Sequence, residues 1–496
     1  KRRLPHRGEE VDAARLLEVR LPEGCVSPRL KAAPRRRRLS RPAPGGAQAA
    51  LTEAMVDRLM WRTGFGPDEA GRAALKGLSL HVAVDRLIAA AQTPTGPAAT
   101  RSDGTPLKPY ESDTDLVLAW CDQMLRTGNP LVERLTFFWH RHFATQRDMV
   151  SPPQLISTQN ALFRRYSDLR AFPTANFRTL VYEMGEGPAM LRFLTGEDST
   201  KKNVNENYGR ELMELFCVGV TNAAGAPNYT EVDVREAARS ATGWTIKDDD
   251  PDAVTAVFDR TRWDDGQKTV LGKTGAFGHR ELVDVVLAHP NHAPYIVTKL
   301  WHEFIPTAPN AATVRDLVNV YLKAKLRIKP LVRRILTHPA MLDSVKEPNM
   351  IKPPVVYAIG LMRTLGLQIK DGTLYDALNA MGQLPYFPPN VAGWEGGPAW
   401  LNTNTALSRF ALANKLLSLK YATMPTKAPE DEASETPKQA FQRAHLAVGR
   451  PWMARGTISS LQYYAAHAKA ASSGDRIARQ RVLRAFMLAG PDAQVM

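Results

Sequence analysis

The chain has 496 residues, a net charge of +15, 44% hydrophobic and 23% charged residues, enough to bury a large core and ordinary for a globular protein. No apolar run reaches the ~18 residues that a bilayer-spanning helix needs. Three cysteines (Cys25, Cys121, Cys217) without a CxxC spacing argue against a thiolate zinc site or a disulfide framework, and fit a reducing compartment without excluding export.

The charge is unevenly placed. Residues 1–45 hold 13 basic and 5 acidic residues, a net of +8. With the run Arg35–Arg38, several prolines and Gly45-Gly46, residues 1–48 are expected to form a basic, disordered arm. Such an arm suits an anionic surface or a nucleic acid, though no aromatic residue interleaves the arginines.

Helical patterns begin at Leu51. Thr52 is placed to cap a helix through Met55 and Leu59, residues 80–91 form a second, and the Pro/Gly-rich 93–109 a loop. Asp113 opens a helix that Gly128-Asn-Pro130 ends, and Pro130 starts the next, which carries Trp139-His-Arg-His-Phe143. Further helices are expected at 155–166, after Thr174–Arg178, at 188–194, and from Thr230, where Asp233 stands at the capping-box position. Residues 247–280 change character and predict a small insertion with one or two strands and a hairpin. Two helices ending in His-Pro, at His289-Pro290 and His338-Pro339, read as helix punctuation by a cation and a proline. The Pro/Gly loop Phe387–Trp400 carries two indoles, Trp394 and Trp400, available to an interface. The fold class expected is mainly α: a large helical domain over 49–415 with the insertion near 247–280, a linker over 416–438, and a helical extension over 439–496.

The stretch richest in chemistry is Asn205–Val220. It holds Glu206, Arg210, Glu211 and Glu214 within nine residues and ends at a glycine. On an α-helix Arg210 lies beside Glu206 or Glu214, and Glu211 shares a face with Glu214. A buried helix with this many charges must pair them or bind something with them. His140 and His142 are metal-ligand candidates to join Glu211 and Glu214, but two histidines two apart point about 200° apart on a helix, so only one can share a site. Tyr208, Glu231 and Arg235 are candidate supporting residues.

Read together, Arg62-Thr-Gly-Phe-Gly-Pro67, Trp139-His-Arg-His-Phe143, Asn205–Leu215, Tyr229–Arg239, Thr242-Gly-Trp244, Lys299-Leu-Trp301 and Phe387–Trp394 resemble, in that order, the bacterial domain-of-unknown-function (DUF) 1800 family over roughly residues 51–415. The resemblance implies a predominantly helical protein without a settled activity, often encoded beside an exported sulfatase- or phosphatase-like partner, and hence a periplasmic or secreted location by analogy. One departure stands out: where the family has His-Asp-x-Gly-x-Lys, this chain has Trp263-Asp-Asp-Gly-Gln-Lys268.

Three functions compete. The first is a metal- or carboxylate-dependent hydrolase using Glu206, Arg210, Glu211 and Glu214, with a divalent metal as the candidate cofactor. The second is a non-enzymatic partner or scaffold for the sulfatase-like protein. Nucleic-acid or anionic-surface binding through the arm ranks last. No P-loop, no dinucleotide fingerprint after a strand and no GxSxG occurs. If the carboxylate cluster opens into a polar cleft, the enzyme reading gains; if it is fully internal and dry, the scaffold reading gains.

Overall fold

Many helices start on short polar side chains. Thr52, Asp68, Ser79, Ser112, Asn176, Thr230 and Asn310 each accept a hydrogen bond from a first-turn backbone N–H, which satisfies donors that the helix leaves open. Proline opens others, at Pro130, Pro153, Pro188, Pro354 and Pro437, where its missing N–H is no loss. The computed structural model describes residues 49–250, 254–343, 345–422 and 435–496. Among them are twenty α-helices and two two-stranded antiparallel ribbons, a mainly α fold as expected. The basic arm, 1–48, lies outside the described residues. No described helix is long and apolar enough to cross a membrane.

The insertion is two ribbons. Trp244–Lys247 pairs with Thr255–Phe258, and Lys268–Val270 pairs with Lys273–Gly275. Trp263 and Lys268 form one clamp. The Lys268 ammonium lies 5.0 Å from the Trp263 ring and donates to the Phe277 carbonyl at 3.0 Å and to the Asp264 carbonyl. Asp264 in turn takes two hydrogen bonds from Arg239, at 2.7 and 3.1 Å. The clamp ties the insertion to the helix Glu231–Ser240.

Three sequence expectations are corrected. The linker expected over 416–438 begins as helix, since Thr403–Ala422 is one α-helix; residues 423–434 lie outside the described residues. His289 and His338 do not act as cations at helix ends. Each ring accepts, through Nδ1, the N–H of the residue two further on (Asn291 and Ala340, 3.1 Å each), and burial holds both imidazoles below their usual pKa. They punctuate by starting the next segment rather than by closing the last. Trp394 and Trp400 are both buried. Trp394 stacks on Phe137 with ring centroids 5.6 Å apart, so the prolines and glycines of that loop fold its indoles inward instead of presenting them.

The C-terminal helices Pro437–Ala447, Arg455–His467 and Ser473–Ala489 belong to the same compact unit as the rest, Gln48–Met496. Buried Glu435 joins the first of them to the last through Arg443 at 3.0 Å and Arg479 at 2.8 Å. Deep in the unit Phe143 sits among Trp139, Phe163 and Phe177, each with ring centroids 6.0 Å away, and Phe216 at 5.2 Å. Phe216 brings the charged stretch onto this aromatic core.

Candidate active site

The charged stretch is not one α-helix. Asn207–Glu211 is α-helical, and Leu212–Cys217 widens into a π-helix. Its end is closed by Val218 and Gly219, whose N–H groups both donate to the Met213 carbonyl at 2.9 Å. π segments are rare and gather at functional sites, and this one ends, as every helix does, on carbonyls without intrahelical partners. Here side chains satisfy them. The Leu215 carbonyl accepts from Tyr295 Oη (2.8 Å) and Lys299 Nζ (3.2 Å), and Phe216 from His142 Nε2 (2.9 Å). Cys217 accepts from His292 Nδ1 (2.9 Å), Val218 from Asn291 Nδ2 (2.8 Å), and Gly219 from Asn228 Nδ2 (2.8 Å). A buried carbonyl left unpaired costs about 1–3 kcal/mol, so these donors stabilise this helix end.

Two glycines permit the arrangement. A Cβ on Gly209 would lie 2.8 Å from the Ala238 nitrogen and 3.0 Å from the Val234 carbonyl, so only glycine lets this helix press against the backbone of Glu231–Ser240. Gly219 has φ +82°, and a Cβ there would meet the Tyr295 ring at 2.9 Å.

Against this frame the carboxylates part company. Arg210 forks onto Glu231 with two 2.8 Å bonds and reaches Glu206 at 3.3 Å; it makes no bond to Glu214. Glu214 instead accepts the Tyr229 hydroxyl at 2.8 Å. Glu211, half-buried, takes no hydrogen bond from the described residues. Burial first, and the neighbouring Glu214 charge second, push its carboxyl up to about 7 against the pull of Arg210. Lys299, on the facing helix His292–Phe304, is brought down to about 8 by burial and by Arg141. Glu206, Arg210, Glu211, Glu214, Tyr229, Tyr295 and Lys299 all remain partly accessible, so the cluster is not sealed.

The expected metal set is not assembled. His140 and His142 are buried on opposite sides of their helix and serve different neighbours. His140 Nε2 accepts the Tyr386 N–H at 3.0 Å, holding a loop residue whose φ is +70°. His142 braces the π segment. Burial drives His140 down to about 3, and burial and Lys299 drive His142 well below the usual histidine range, so both rings are neutral. Among the described residues no three His, Cys, Asp or Glu side chains group as metal donors. Of the expected supporting residues, Glu231 is a true partner of Arg210, and the exposed Arg235 adds its charge beside Glu231. Tyr208 points into the protein. Its hydroxyl meets His279 Nε2 at 2.7 Å, and His279 Nδ1 meets Glu186 at 3.3 Å.

Residues 58–495 match the family model described as Protein of unknown function (DUF1800). The chain belongs to the DUF1800 family. The match runs through the C-terminal helices, well past residue 415 where the sequence resemblance was expected to end. No curated protein and no solved structure matches the chain. In this DUF1800 protein several motifs behind the resemblance converge on the π segment: Trp139–Phe143 supplies His142, Tyr229–Arg239 supplies Tyr229 and Glu231, and Lys299-Leu-Trp301 supplies Lys299. Tyr295 and His292, one and two turns ahead of Lys299 on its helix, escape sequence reading. Their only signal is the i, i+4 spacing from Tyr295 to Lys299.

Proposed function

We propose that this DUF1800 protein is a carboxylate-dependent hydrolase in which Glu211 is the general acid and base. The observation that carries the reading is Glu211 itself: a half-buried, partly accessible carboxyl, without a protein hydrogen bond among the described residues and raised to about 7. A group poised near neutral pH can give a proton to a leaving oxygen and then take one from the attacking water, a role worth about 10²–10⁴-fold in rate. Glu214, steadied by Tyr229, supplies the second carboxylate. It raises Glu211 and offers an acceptor for the water. Arg210, already forked onto Glu231, orients the start of the helix and keeps a positive edge beside the site. Tyr295 and Lys299 hold the carbonyls that set the π winding, and with it the direction of both carboxylates. The donor geometry favours the carboxylate form of the hydrolase over the metal form, since His140 and His142 are committed elsewhere. The scaffold reading loses the two indoles on which it relied.

Two measurements test the proposal. Carboxyl ¹³C NMR should show one glutamate titrating near 7 that vanishes in Glu211→Gln. Hydrolysis of a panel of p-nitrophenyl esters, phosphates, sulfates and glycosides should fall about 100-fold or more in Glu211→Gln and far less in Glu206→Gln. A Glu211 that titrates with the ordinary glutamates, or hydrolysis untouched by its loss, would sink the assignment.

A further inference from the structure

Far from the carboxylates, a cavity of about 430 Å³ opens between the helices Glu53–Thr63 and Pro354–Leu365 and the C-terminal helices. This is the size of small-ligand sites, and Glu211, Glu214 and Lys299 do not line it. Its wall is apolar and adaptable, with Trp61, Phe441, Met453 and Met487 among the lining side chains.

Lys352 also lines it, and Lys352 is 6% exposed. Its ammonium donates to the Ala493 carbonyl at 2.7 Å and lies 3.8 Å from the centre of the Trp61 ring. Directly behind it is a second buried cation. Arg409, 0% exposed, donates to the Lys352 carbonyl at 2.9 Å and to Gln494 Oε1 at 3.0 Å, and lies 4.9 Å over the Tyr357 ring. Neither cation has a carboxylate partner among the described residues. The acids at the cavity are already engaged: Asp57 by Arg72 at 2.7 Å, Glu53 by Arg450 at 2.7 Å, and Asp492 by the Ala454 N–H at 2.7 Å. A buried charge is paired, held by a ligand, or shed by a pKa shift; burial first and Arg409 second bring Lys352 down to about 7, so a bound anion would hold its proton in place. Here two stand together with neutral partners only, one of them at an apolar cavity.

We propose that this cavity binds a small amphipathic carboxylate, a medium-chain fatty acid or a molecule of like shape, with its head on Lys352 and its apolar body along Trp61 and Met487. The anion supplies the missing counter-charge and the apolar body replaces water against the aromatic and methionine wall. The site is independent of the Glu211 cluster and stands whatever reaction that cluster performs.

The test is calorimetric titration of the full chain with dodecanoate below its micellar concentration, beside dodecanol as the neutral control. Wild type should bind one dodecanoate per chain. Lys352→Met should weaken dodecanoate by about tenfold or more and leave dodecanol nearly unchanged, while Lys352→Arg, which keeps the charge, should retain most of the affinity. Thr364→Trp, which fills the cavity from its wall, should weaken both ligands. Absence of saturable dodecanoate binding to wild type overturns the proposal, as does equal dodecanoate affinity in wild type and a folded Lys352→Met.

Discussion

At the scale of single residues, Glu211 and its neighbour Glu214 show how three positions along one stretch separate two chemically identical groups. Glu214 finds Tyr229, while Glu211 is left with burial and a like charge. The raised value makes Glu211 a cost above neutral pH. The folded chain keeps this proton where the unfolded chain, with a glutamate near 4.5, has released it. Its contribution to stability is therefore full below about 4.5 and lost as pH rises through about 7. Glu211→Gln should match wild type in urea unfolding at pH 4.5 and exceed it at pH 8.5 by roughly 1–2 kcal/mol, a figure discounted for solvent at a half-buried group. An equal difference at both pH values would mean the carboxyl is not perturbed. The acidic half of the site was legible because charge density on an apolar-faced helix demands a partner. Tyr295, His292 and Asn228 were not, since a tyrosine, histidine or asparagine becomes a carbonyl clamp only through where its chain segment is packed.

At the scale of elements, capping chemistry carried the reading furthest. Thr52, Pro130 and the Thr230–Asp233 box begin helices where their residue types say they should. The π winding of Leu212–Cys217 was hidden, because nothing in those six residues disfavours an α-helix, and the donors that hold its end come from other segments. Gly219 is the local residue that admits it. Gly219→Ala places a methyl against Tyr295 in a left-handed backbone, and should cost about 2–4 kcal/mol. It should also move Tyr295 off the Leu215 carbonyl. A shift in urea midpoint equivalent to less than about 0.5 kcal/mol would mean that the π end tolerates a normal residue and relaxes around it. The His-Pro pairs were half legible. Their place at helix ends was right, but their charge state was not, since burial and a backbone donor make the neutral ring the useful form.

At the scale of the whole molecule, the C-terminal helices share the continuous apolar core, through Phe441, Leu461, Leu483 and Met487 among others, and buried polar contacts lock them to one another. Glu435 ties the first of them to the last through Arg479, and this pair is almost wholly removed from water. Removing one partner of such a pair leaves the other charge stranded, which typically costs about 3–5 kcal/mol. Glu435→Ala should therefore lower the unfolding free energy by about that much, with the helices after residue 435 becoming the first sites of limited proteolysis. Cleavage distributed as in wild type would show that those helices are held by other contacts. Helix content and the insertion could be read from the sequence, but the inclusion of the C-terminal helices in the unit could not. The polar, proline-containing stretch before them looks like a spacer, and Glu435 becomes an anchor only once Arg443 and Arg479 close on it.

The carbonyl clamps on the π segment also have a bearing on the order in which the molecule is built. His142 lies 74 residues before its acceptor, while His292 and Lys299 lie 75 and 84 residues after theirs. Contacts of such separation form only after the intervening chain has paid its closure entropy, so they come late. Until then nothing distinguishes Asn205–Val220 from an ordinary amphipathic helix. A chain arrested just short of the last docking step would contain every residue of the candidate site and none of its geometry.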